Sequence, residues 1–144
     1  MPKILLVEDN EDDIELTIRA FQRINLADEL AVARDGDEAL TRLLSDSEEL
    51  PAVVLLDLKL PKVDGFEVLA KLRDNERTRL LPVVVLTSSA QERDMLRTYS
   101  LGANSYIVKP VDFEQFITAA REIGVYWLLL NRRPPEGHVP HPVR

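Results

Sequence analysis

The chain has 144 residues, 45% of them apolar, which is enough for one buried core but not for two. The 18 Lys and Arg set against 25 Asp and Glu leave a net charge of -7, which argues against nucleic acid or an anionic membrane surface as the default partner. With no cysteine there can be no disulfide, thiolate metal site or cysteine nucleophile, and a reducing, cytoplasmic setting fits.

In chain order, short aliphatic runs alternate with stretches of helical spacing. Five strands are predicted: Ile4–Val7, Ala31–Ala33 (the weakest), Val53–Leu56, Val83–Leu86 and Tyr106–Val108. Most lack period-two alternation, as strands covered on both faces should. Between them lie apolar residues three or four apart: Ile14, Ile18 and Phe21; Ala39, Leu40, Leu43 and Leu44; Val68, Leu69 and Leu72; Leu96 and Tyr99. Each group is expected to cover one face of a parallel α/β sheet. A last helix opens at Asp112, a suitable N-cap, and carries Phe113, Phe116, Ile117, Ala120 and Ile123 on one stripe. The run from Val125 to Leu130 is apolar all round, and a proline-rich tail, expected to be extended, follows Asn131. No apolar run approaches the roughly 20 residues needed to cross a bilayer. The first seven residues lack the apolar core of a secretory signal, so the start reads as mature protein.

Right-handed crossovers and the length of the series favour five strands in the doubly wound order 2-1-3-4-5, an order taken from known folds rather than from periodicity. In such sheets ligands bind beyond the carboxyl ends of the strands. Those ends carry Glu8 and Asp9, Asp57, Thr87 to Ser89, and Lys109 with Pro110. Strands one, three, four and five would then bring three carboxylates, a hydroxyl and an ammonium together. Carboxylates about 4 Å apart repel by about 4 kcal/mol at an effective dielectric near 20, so the cluster needs a cation or protons. Hard oxygen donors without nearby His or Cys favour Mg2+. Singly, each residue has a plain explanation: Asp57 as a turn former, Thr87 as a helix cap, Lys109 as a loop cation, Tyr106 as a strand aromatic. Glu11, Asp12 and Asp13 read as the acidic first turn of a helix. Joint placement at successive strand ends is what points to a site.

These residues resemble the receiver domain of two-component response regulators: Val7 to Asn10 after strand one, Asp57 to Gly65 after strand three, Thr87-Ser88 after strand four, Leu101-Gly102-Ala103, and Tyr106 to Pro110. The resemblance covers about residues 2–125 and implies the flavodoxin-like fold. The acidic pair and the Trp-containing C-terminus look most like the regulators that partner bacterial phytochromes. It implies that Asp57 is the phosphoacceptor of a partner sensor histidine kinase, and the phytochrome likeness extends this to a kinase of phytochrome type. Asp9 and Asp57, with Glu8 and the carbonyl of Lys59, would hold Mg2+, and Thr87 and Lys109 would contact phosphoryl oxygens. Lys109-Pro110 is expected to be cis, and Thr87 with Tyr106 to form the switch. Lys59 and Ser89 stand at positions that tend to tune acyl-phosphate lifetime in this family.

About 14 residues after the last helix cannot fold as an effector module, so output is expected through protein contacts. Residues 1–125 are read as the receiver and 126–144 as a helix extension and tail. The apolar segment predicts a homodimer through Tyr126, Trp127, Leu128 and Leu130, the other reading being that it folds back on its own domain. His138 and His141, in the tail, are read as bystanders. A nucleotide-binding flavodoxin relative would need a phosphate loop where this chain has Glu8 to Asp13. A phosphohydrolase with an aspartate nucleophile would need an acid where Lys59 stands. A phosphorylation-independent binding module remains the alternative. The chain is thus read as a phosphoacceptor that catalyses only its own phosphoryl transfer and dephosphorylation, with neither nucleic acid nor a membrane as partner.

Overall fold

The computed structural model describes residues 2–134. Five strands, β1 (Ile4–Val7), β2 (Leu30–Ala33), β3 (Val53–Leu56), β4 (Val83–Thr87) and β5 (Ser105–Val108), form one sheet in the order β2-β1-β3-β4-β5. All pairings are parallel. The inner strands β1, β3 and β4 are buried along their whole length, which is why their sequences are unbroken aliphatic runs. At the edges, β2 (Leu-Ala-Val-Ala) is partly buried except at the fully buried Ala33, and β5 (Ser-Tyr-Ile-Val) is partly buried up to its exposed end at Val108.

Five helices wrap this sheet: α1 (Glu11–Arg23), α2 (Gly36–Leu43), α3 (Gly65–Arg73), α4 (Glu92–Ser100) and α5 (Phe113–Gly124). Three of them start on a side-chain cap that accepts a backbone N–H three residues on: Asn10 for α1, Asp35 for α2 and Asp64 for α3. Ile4, Leu6, Val53, Leu55, Val84 and Leu86 face α1 and α5. Alternate residues of the same strands, Leu5, Val7, Val54, Leu56 and Val83, face α2 and α3. At roughly 2 kcal/mol per buried aliphatic side chain, these two layers are the main stabilising term.

The predicted stripe of α5 is buried as expected, at Phe116, Ile117, Ala120 and Ile123. For α4 the expectation fails. Leu96 is 69% and Tyr99 51% exposed, and the residue that α4 buries is Thr98, whose hydroxyl donates to the Met95 carbonyl. Its own helix satisfies that polar group, so Thr98 can face inward and turn the leucine and tyrosine to solvent.

After Gly124 the helix widens into a π-helical segment, Val125–Leu130, closed by the Asn131 N–H donating to the Tyr126 carbonyl. Trp127 and Leu128 pack onto the α1–α5 core, whereas Tyr126, Leu129 and Leu130 stay exposed. Beyond it, Arg133 donates to the carbonyl of Leu50 across the base of the sheet. The tail from residue 135 on, including His138 and His141, lies outside the described residues.

Candidate functional site

At the carboxyl edge of the sheet the strand ladders run one step further and set the site. Glu8 donates its N–H to the Ala33 carbonyl, Asp57 to that of Val7, and Lys109 to that of Thr87. Each side chain therefore starts from a rigid strand end. Gly65 keeps the following loop close: a Cβ there would lie 2.3 Å from the Asp57 carbonyl oxygen, so α3 can begin directly against the end of β3 only without a side chain.

Glu8, Asp9 and Asp57 each offer a carboxylate oxygen, all within 4.8 Å of one another. Glu8 is 2% and Asp57 7% exposed, while Asp9 opens to solvent. Asp57 accepts a hydrogen bond from the Leu58 N–H at 2.7 Å through one oxygen, and its other oxygen lies 3.4 Å from the Lys109 ammonium. That ammonium is much nearer to Glu8 (2.6 Å) and Asp13 (2.8 Å).

Burial pushes the Glu8 carboxyl up to about 7, and the neighbouring charge of Asp57 adds to this against the opposing hydrogen bond from Lys109. Burial would lower the Lys109 ammonium, but its bonds to Asp13 and Glu8 and the charge of Asp57 outweigh that and hold it above its ordinary range. One ammonium thus bonds three carboxylates, and Asp9 adds a fourth acidic group beside Glu8 and Asp57. A crevice of hard oxygen donors with this excess of negative charge fits a small divalent cation.

Thr87 ends β4 and is buried, its hydroxyl accepting from the Ser89 N–H at 3.4 Å. Ser89 joins several parts of the β4–α4 loop. Its hydroxyl donates to Asp94 at 2.6 Å, and its carbonyl accepts the Tyr106 hydroxyl at 2.9 Å. The residues read as a switch, Thr87 and Tyr106, are therefore linked through one loop residue. Lys59, two positions past Asp57, has an exposed side chain in the loop leading to α3.

The Lys109-Pro110 bond was expected to be cis, but no peptide bond among the described residues is. Trans is the lower-energy form of an X–Pro amide by about 0.5–1 kcal/mol, and Lys109 reaches its partners in it. Asp13 was read only as a helix-start acid. It does stand in the first turn of α1, where Asn10 caps its N–H, but its carboxylate also turns into the crevice. Glu11, in the same turn, pairs instead with Arg34 on the surface at 2.8 Å. Only the nearness of Asp13 in the chain, four residues past Asp9, hinted at this.

Comparison with known proteins adds to this geometry. Residues 4–121 match the model of the response regulator receiver domain. The probable methanogenesis regulatory protein FilR2 of Methanothrix harundinacea is 47% identical over 134 residues, covering 91% of this chain and 86% of that protein. The crystal structure of the phosphorylated cyanobacterial phytochrome response regulator RcpA superposes with a TM-score of 0.84 at 37% identity, covering 93% of this chain and 99% of that one. The Mn(2+)-bound response regulator Rcp1 gives a TM-score of 0.80 at 33% identity, covering 93% of this chain and all of that one (100%). Among the described residues, no helix is long and apolar enough to cross a membrane.

Proposed function

Since the chain belongs to the response regulator receiver domain family, we propose that it takes a phosphoryl group from a phosphohistidine of a sensor kinase onto Asp57. The observation that carries this is the convergence of Asp57, Glu8, Asp9 and Lys109 in one crevice. An oxygen of Asp57 attacks phosphorus, the P–N bond to the donor histidine breaks as the P–O bond forms, and the leaving imidazole takes up a proton. Charge spreads over the phosphoryl oxygens in transit, and the Lys109 ammonium and the Thr87 hydroxyl are the groups of this chain placed to meet it. Glu8, Asp9, Asp57 and the Lys59 carbonyl would hold Mg2+, which neutralises phosphoryl charge when bound; the Mn(2+)-bound relative supports a divalent ion here. Attack of water on the acyl phosphate returns Asp57 and inorganic phosphate. The protein is a signalling acceptor, and these steps on its own side chain are its only chemistry.

The likeness to a phytochrome response regulator supports a kinase of the phytochrome type, and a receiver that works with such a kinase would do so in the cytoplasm. Loading of Asp57 would shift the Thr87–Ser89–Tyr106 linkage and with it the surface of α4 and β5, which protein partners read. Residues 1–125 form the receiver unit, and the apolar segment from Tyr126 to Leu130 carries the contact through which two copies associate. Of the four residues predicted for that contact, Tyr126 and Leu130 are exposed, while Trp127 and Leu128 support the segment from the core side. Leu129, 77% exposed, joins the outward pair. Leu129→Ser with Leu130→Ser should lower the mass measured by light scattering to that of one chain, and a wild-type protein that is already monomeric at high concentration contradicts the dimer.

The central experiment is labelling with acetyl phosphate. Wild type should take up phosphate only with Mg2+ present, and Asp57→Asn should take up none while keeping its circular dichroism spectrum. Equal labelling of the two proteins would remove Asp57 as the acceptor.

A further inference from the structure

The Lys109 ammonium has three carboxylates in reach, and the acceptor is the most distant of them: 2.6 Å to Glu8, 2.8 Å to Asp13 and 3.4 Å to Asp57. We propose that Asp13 is a positioning residue, holding the Lys109 ammonium toward α1 in the unphosphorylated protein and releasing it when Asp57 carries a phosphoryl group. This rests on Asp57 being the acceptor, as argued above.

Asp13 is anchored for this role at both ends of its peptide unit. The Asn10 side chain accepts its N–H at 3.0 Å, and the hydroxyl of Thr17, 2% exposed, donates to its carbonyl at 2.7 Å. The carboxylate therefore projects from a fixed point in the first turn of α1.

The three partners differ in what losing the ammonium would cost. The Glu8 side chain is 3% exposed, so breaking its bond strands a buried carboxylate. Asp57, at 9%, becomes the phosphoryl carrier and gains attraction for the ammonium. The Asp13 side chain is 34% exposed, and water can replace Lys109 there. When a phosphoryl group arrives, the Asp13 contact is accordingly the one that gives way. Because it exists only in the unloaded protein, Asp13 favours that state and weakens the hold on a phosphoryl group or its mimic.

Neighbouring residues supply an internal control. Asp12 is exposed and one position away, so neutralising it removes the same charge from the same helical turn without touching Lys109. The test measures binding of beryllofluoride, a phosphoryl mimic, at saturating Mg2+. Asp13→Asn should bind it about threefold more tightly, the scale of a partly exposed ion pair, with Asp13→Glu close to wild type and Asp12→Asn unchanged. In the protein without mimic or metal, the 15N resonance of the Lys109 side chain should move in Asp13→Asn and return toward wild type in Asp13→Glu.

Unchanged beryllofluoride affinity in Asp13→Asn, or an equal gain in Asp12→Asn, overturns the hand-over. A wild-type protein that binds no beryllofluoride overturns the acceptor reading itself, and the hand-over with it. The side-chain resonance then reports separately whether the resting Lys109–Asp13 pair exists.

Discussion

Two helices, each expected from apolar residues three or four apart to cover the sheet, behave in opposite ways. α5 presses Phe116, Ile117, Ala120 and Ile123 onto the sheet, whereas α4 turns Leu96 and Tyr99 to solvent and buries Thr98. Periodicity shows that a helix has an apolar face; it does not show whether that face meets the protein's own core. α4 is held by lighter contacts: the Arg97 guanidinium stacked 3.9 Å over the Phe66 ring of α3, the Ser89–Asp94 bond at its start, and the buried Thr98. A helix attached in this way can shift with the β4–α4 loop, while α5 is part of the rigid frame.

If that contrast is real, the largest effect lies in α5. Phe116→Ala removes a side chain that is 3% exposed and leaves a cavity between α5 and the strands, at a cost of about 3–5 kcal/mol. Urea unfolding should show a much lower midpoint, and a small change would mean that α5 is no better anchored than α4. The smallest effect belongs to α4. Leu96→Ser with Tyr99→Ser should alter stability by no more than about 0.5 kcal/mol, because neither side chain leaves a cavity. A loss near that of Phe116→Ala would show that the outward face of α4 is covered, for instance by a second copy.

The same contrast marks how far the sequence could be read. β1, β3 and β4 were legible because burial on both faces leaves unbroken aliphatic runs with little room for polar residues. Edge strands β2 and β5 each begin one residue earlier than their patterns suggested, since Leu30 and Ser105 sit where burial is partial. The direction of α4 was hidden because Thr98 counts as polar in a sequence, whereas in the structure its hydroxyl is satisfied within its own helix. In the segment from Val125 to Leu130 an all-round apolar pattern carries no period, so the inward turn of Trp127 and Leu128 could not be told from the outward turn of Leu129 and Leu130.

In the site, Glu8, Asp9, Asp57 and Lys109 were legible because strand ends in a doubly wound sheet converge by topology. Asp13 escaped because acids are common in first turns for reasons of helix charge alone, and a residue with one sufficient explanation hides a second. The Lys109-Pro110 bond also differs from expectation, being trans, for the resemblance concerned residue types and a peptide isomer is not written in them.

Phosphoryl transfer in this crevice turns on Asp57 as the residue that carries the group. Borohydride reduces an acyl phosphate to an alcohol, so treating the Mg2+- and acetyl-phosphate-loaded protein and sequencing its peptides by mass spectrometry reads the modified position directly. Homoserine at position 57 and at no other aspartate is the predicted result; reduction at Asp9 or Asp13 instead, or at none, would contradict it.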